Sequence, residues 1–441
     1  MNGNKLKNSK LRSAAPEPNE GWGQRKRMKW SQYGRITLAL VASLALGLSI
    51  TACNPSFTLG FVYVLSAKSS PGIINAYSMD SVSGAITQVA NSPFSSGGEY
   101  PIASVVNNTS KWLYVIHEID NSVVEFAIGT DGKLYQQHTY NTPGTYPIAV
   151  AIDPQSKFLF VVDSFASAFN NSGAVAPNIN PIAANPATYG CVVVYPIAAA
   201  DGSLGTAIAD PVSGQSCFPL NGATAIQGSQ PIGVTATASV NYLYVADQGT
   251  HSIYGYAVNY TNGVLTALTN NSYPAGVQPS AILSDLSGRF VYVLDQKASQ
   301  ILGYTIQGNG SLQAMANPVS TDQYPNSIAT DPSGKFLYVT NFNTNSVRAY
   351  TIDPVTGNPD QPIGDLSYGA GTGPDCVSVE SVYGRFVYVS NYLSNTVSGF
   401  ELNPQTGELV QILNSPYHTD SDPTCVATAA NATHPVATVA P

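Results

Sequence analysis

A short apolar run returns seven times along the chain, each time between polar, turn-rich segments. The runs are Phe61-Val62-Tyr63-Val64, Trp112-Leu113-Tyr114-Val115, Phe158-Leu159-Phe160-Val161, Tyr242-Leu243-Tyr244-Val245, Phe290-Val291-Tyr292-Val293, Phe336-Leu337-Tyr338-Val339 and Phe386-Val387-Tyr388-Val389. Their central aromatics are 51, 46, 84, 48, 46 and 50 residues apart. Aromatic and β-branched side chains bounded by turn residues predict a strand at each run.

One unit displays the whole repeat. Pro325 to Thr330 reads as a first strand, Asp331-Pro332-Ser333-Gly334 as a turn, and Phe336 to Thr340 as a second strand. A third strand follows from Val347 to Ile352, and a weaker fourth lies beyond Thr356-Gly357. In the turn, Pro presets φ, Asp bonds its own backbone and Gly takes the positive φ. Four antiparallel strands recurring about every 48 residues predict an all-β, seven-bladed β-propeller. The first run, at Phe61, has no first strand before it, and Pro423 to Thr428 is a first strand with no second after it. The C-terminal strand is therefore expected to complete the N-terminal blade and close the ring, removing free edges.

The N-terminal segment follows another logic. Residues 1–35 hold nine of the 18 basic residues, and an uncharged apolar run from Ile36 leads to Ile50-Thr51-Ala52-Cys53. Basic, apolar, then small residues is the order of a secretory signal, and the run is short for a membrane span. The small residues before Cys53 resemble the lipobox of bacterial lipoproteins. That resemblance implies a signal peptide at 1–52, lipidation of Cys53 and a tether at 53–58. Met28 would give a leader of ordinary length. The expected location is a membrane surface outside the cytoplasm, with lipid as the only membrane contact. Without the leader the chain has 9 basic and 24 acidic residues, a formal net charge of −15. Phosphate contacts need the Lys and Arg it lacks, so no nucleic-acid partner is expected.

Tyr338-Val339-Thr340-Asn341 and Tyr388-Val389-Ser390-Asn391 resemble the YVTN repeat, and the longer units resemble the lactonase superfamily of seven-bladed propellers, typified by propeller-type 6-phosphogluconolactonase. The likeness spans nearly all of residues 59–441. Enzyme members carry a Ser-His-Pro-His-type segment and mouth Arg and Glu. The corresponding Thr145-Tyr146-Pro147-Ile148 keeps the proline and lacks both histidines.

In a propeller, the loop into strand one and the loop out of strand two share a face around the channel mouth. Ser66, His117, Asp163, Asp247, Asp295, Asn341 and Asn391 end the second strands, and Tyr100, Tyr146, Gln230, Gln278, Tyr324, Gly373 and Asp422 precede the first-strand prolines. Asp and Asn at strand ends often cap turns. As a functional set, His117, Asp163 and Tyr146 are the catalytic candidates, as base, partner and donor for cyclic-ester hydrolysis. Tyr100, Asp247, Asp295, Tyr324, Asn341 and Asn391 are the ligand-binding candidates. Only Lys68 and Lys297 are placed to line the mouth, which argues against a phosphorylated substrate. No metal or cofactor motif is present, so none is expected.

The 84-residue spacing reflects an insertion in the third blade around 164–190, read as a lid or as plain variation. Cys191 and Cys217 bracket the next strand pair, and export permits a disulfide. Cys376 and Cys425 hold equivalent positions in blades that adjoin once the ring closes; a bridge there needs Cα atoms about 4.4–6.8 Å apart. The first reading is a monomeric binding propeller for a neutral small molecule, glycan or protein. Hydrolysis of an uncharged sugar lactone is the second, and a structural envelope role the third.

Overall fold

The computed structural model describes residues 56–166, 189–220, 228–238, 241–364 and 367–431. The leader at 1–52, Met28, Cys53 and most of the third-blade insertion lie outside the described residues. Seven antiparallel sheets follow one another along the chain. Their innermost strands are Pro423–Ala430, Pro101–Val106, Thr145–Ile152, Pro231–Ala236, Pro279–Ser284, Pro325–Thr330 and Pro374–Val379, for blades one to seven. Each touches the next around the ring, and the last meets the first. Closure is as expected from the sequence: Pro423–Ala430 pairs antiparallel with Thr58–Ser66, the second strand of blade one.

The core lies between blades. Buried apolar side chains form seven clusters, each joining two neighbouring blades, and the one joining blades seven and one includes Leu59, Val62, Phe386 and Tyr388. The repeated aromatic runs hold these layers together. In six blades the central tyrosine is buried and donates its hydroxyl to a glycine carbonyl one blade on, at 2.6 to 3.1 Å. The pairs are Tyr63–Gly132, Tyr114–Gly202, Tyr244–Gly310, Tyr292–Gly357, Tyr338–Gly407 and Tyr388–Gly84. These glycines turn between the third and fourth strands with φ from +66° to +83°. The aromatic two residues before each tyrosine packs where a Cβ would stand, so both conformation and contact require glycine. Blade three has Phe160 and lacks this hydroxyl. Blade seven is also latched to blade one by Tyr77, which donates to the His418 carbonyl at 2.8 Å.

The turn chemistry is as read from the sequence. Asp331 accepts from the Lys335 and Phe336 amides, each at 2.8 Å, and Asp285 repeats this with Arg289 and Phe290. Near the other end of the inner strands the proline pairs with strand two, at its last residue in six blades and at Asp163, two residues before its end, in blade three. The register then slips by one residue. This bulge leaves the residue after each proline unpaired.

Candidate functional site

The residues that end the second strands are all buried. His117, Asp163, Asp247, Asp295, Asn341 and Asn391 have no exposed surface, and Ser66 has almost none. Most are turned onto the loop that leads into the inner strand. Asp163 accepts from the Gly144 amide at 2.9 Å. Asp247 accepts from the Gln230 and Thr250 amides at 3.1 and 2.8 Å, and Asp295 from those of Val277, Gln278 and Ala298 at 2.8, 3.1 and 3.2 Å. Asn391 donates to Thr396 and Ser398, and Asn341 to the Val339 carbonyl. His117 Nε2 shares a hydrogen bond with Ser96 at 3.0 Å. Gly98, Gly144, Gly276 and Gly371 lie so close to His117, Asp163, Asp295 and Asn391 that a Cβ would collide.

Burial decides the charge states of two of these groups. It pushes the His117 imidazole down to about 4, against Asp120 and Ser96, which favour the charged form. It pushes the Asp163 carboxyl up to about 7, against hydrogen bonds from Gly144 and Thr142.

The pinned loops present an aromatic rim. Tyr100, Tyr146, Tyr324 and Asp422 have φ of 58°, 55°, 64° and 57°, a left-handed conformation that few bulky residues adopt. Neighbouring blades help to hold it: Asn121 Oδ1 accepts from the Tyr146 amide at 2.7 Å, and Asn395 Oδ1 from the Asp422 amide at 2.9 Å. Tyr146 packs edge-on against Phe165 with ring centroids 5.9 Å apart, and Tyr324 lies 6.2 Å from Phe342. Burial raises the Tyr100 phenol, with Tyr392, Glu118 and Asp422 close enough to add to the effect.

Behind the rim, the residues after the seven prolines form the first tier of the channel wall. Blades two, three and four supply Ile102, Ile148 and Ile232; blades five, six, seven and one supply Ser280, Asn326, Asp375 and Thr424. The polar arc is linked from blade to blade. Gln278 donates to Gln296 at 3.0 Å, Gln296 to Asn326 at 3.0 Å, and Asn326 to the Asp375 carboxylate. Ser280 and Thr424 donate to the Pro325 and Pro101 carbonyls of the next blades at 2.7 and 2.8 Å. Burial pushes the Asp375 carboxyl up to about 7, and the Asn326 amide holds it down in part. No inner strand carries Lys or Arg. Such a wall can hydrogen-bond one side of a small ligand and shelter the other, and its carboxyl is poised to exchange a proton near neutrality.

The structure therefore separates the sequence candidates. Tyr100, Tyr146 and Tyr324 stand at the rim, whereas Asp247, Asp295, Asn341 and Asn391 face their own strand ends. Among the described residues no hydrogen bond joins His117, Asp163 and Tyr146: His117 Nε2 meets Ser96, Asp163 Oδ2 accepts from Gly144, and His117 Nδ1 and Asp163 Oδ1 have no partner. Sequence reading missed Ser280, Asn326, Asp375 and Thr424. The signal was the step from Pro-Ile in three units to Pro-polar in four, but the bulge that turns this position to the channel is a pairing property.

Cys191 and Cys217 form a disulfide with Cα atoms 5.5 Å apart. Cys376 and Cys425 are free thiols, so the bridge considered between them is not formed. Each Sγ points to the Val426 carbonyl instead, at 3.8 and 3.9 Å.

Seven four-stranded blades around such a channel define a seven-bladed β-propeller. The family described as "Lactonase, 7-bladed beta-propeller" matches residues 74–169 and 267–379, so over those two stretches the chain is similar to that family. Among solved structures, a Pseudomonas aeruginosa periplasmic gluconolactonase is 20% identical, with a TM-score of 0.64, covering 84% of this chain and 99% of its own. A protein described as a candidate 6-phosphogluconolactonase, from Bacteroides fragilis, is 18% identical, with the same TM-score, covering 84% and 98%. At such identities the likeness is one of fold. No curated protein matches the chain.

Proposed function

We propose that this chain is an exported, lipid-anchored propeller that binds a neutral, polyhydroxylated small molecule, such as a sugar, at its channel mouth. The observation that carries this reading is the divided first tier: Ser280, Asn326 and Asp375 offer hydrogen-bonding groups opposite the apolar Ile102, Ile148 and Ile232. Sugars combine a polar edge with an apolar C–H face, and the tyrosine rim suits the latter. The absence of Lys and Arg from the inner strands disfavours phosphorylated ligands.

Hydrolysis of an uncharged lactone is the second reading, favoured by the family match and by Asp375, whose pKa suits a general base at neutral pH. Calorimetry with neutral sugars, sugar lactones and phosphorylated sugars tests both readings, with lactone turnover followed in parallel. Neutral ligands are expected to bind, and Asn326→Ala to weaken them by about tenfold, the worth of one lost hydrogen bond. Binding unaffected by this substitution, or preference for phosphorylated sugars, would overturn the assignment. Turnover lost in Asp375→Asn would favour the second reading.

A further inference from the structure

One residue further along the inner strands than Asp375 and Thr424, the second tier is Ala103, Ala149, Gly233, Ala281, Ser327, Cys376 and Cys425, with both cysteines packed against the clusters between blades. Five of the seven are small residues without sulfur. The two thiols are neighbours, on the inner strands of blades seven and one, which touch where the ring closes. They turn toward the same carbonyl, that of Val426, at 3.8 and 3.9 Å, and both are partly exposed.

We propose that Cys376 and Cys425 form a binding site for a soft monovalent d10 cation, with cuprous ion as the natural occupant. Thiolate sulfur selects Cu(I) over the hard cations of solution. Two thiolates on adjacent strands, both turned toward one carbonyl, supply the two-coordinate arrangement such an ion accepts. No Lys or Arg on the inner strands opposes a cation, and the Asp375 carboxyl lies one residue away in the chain. Each thiol gives up one proton as its S–Cu bond forms, so two protons leave for each ion bound and the metal stays cuprous throughout.

The test is Cu(I) binding to the purified mature protein under ascorbate, in competition with bicinchoninate, and with Ag(I) as a surrogate that needs no reductant. One ion per chain is expected. Loss of an outer-shell partner already costs about 10–100-fold in metal affinity, so Cys376→Ser and Cys425→Ser should each cost at least that much. Serine already occupies this tier as Ser327, and an unchanged thermal midpoint would show that each variant folds. Equal Cu(I) affinity in the double serine variant would overturn the proposal, as would a native chain that takes up neither ion.

Discussion

Asp375 and Asp163 keep a proton in the folded chain where the unfolded chain has lost it. Both carboxyls are pushed up to about 7 by burial, above the ordinary carboxylate range. Between about pH 4 and 7 the unfolded state therefore binds fewer protons, and stability from these groups falls as pH rises. His117 acts in the opposite sense: its imidazole, held down at about 4, favours the folded state above its ordinary value and loses that contribution as pH falls. Asp375→Asn removes one downward slope. Urea denaturation should show the variant gaining on the native chain by on the order of 2–4 kcal/mol between pH 4 and 8. A difference that does not vary with pH would contradict the protonated state of Asp375. Asp163 was legible in the sequence as a strand-end carboxylate that either caps a turn or serves a ligand. Burial chooses between these roles, and burial depends on the loop folded over it. Asp375 was not legible, because strand alternation alone does not reveal the bulge after Pro374.

The blade repeat owes its aromatic signature to contacts with the next blade. A run such as Phe336-Leu337-Tyr338-Val339 reads from sequence as a strand. Its deeper constraint is the carbonyl of Gly407, 69 residues on, to which Tyr338 donates. That distance hides the pairing from any local pattern, although both partners recur at the blade period. Tyr338→Phe leaves this buried carbonyl without its donor and should cost about 1–3 kcal/mol. Blade three offers the converse, since Phe160→Tyr would give Gly263 the donor its six counterparts have, with a gain of about 1 kcal/mol. Thermal unfolding of both variants checks the pair. Shifts of the same sign would show that the hydroxyl does not act as a latch.

Ring closure was legible because the first blade lacks an inner strand and the last segment supplies one, so that Pro423–Ala430 pairs with Thr58–Ser66. The export and lipid anchoring proposed from Cys53 rest on the sequence alone, as does any role for the third-blade insertion. Molecular shape and charge bear on function together. An acidic chain gathers seven proline-led strands around one channel, apolar on one arc and hydrogen-bonding on the other. The central claim is that this divided tier is where a neutral polyhydroxylated ligand sits. Hydrogen exchange of the protein, with and without a saturating neutral sugar, tests it most directly. Protection concentrated in residues 279–284, 325–330, 374–379 and 423–430 is the predicted result; protection confined to the outer strands, or none at saturation, would contradict it.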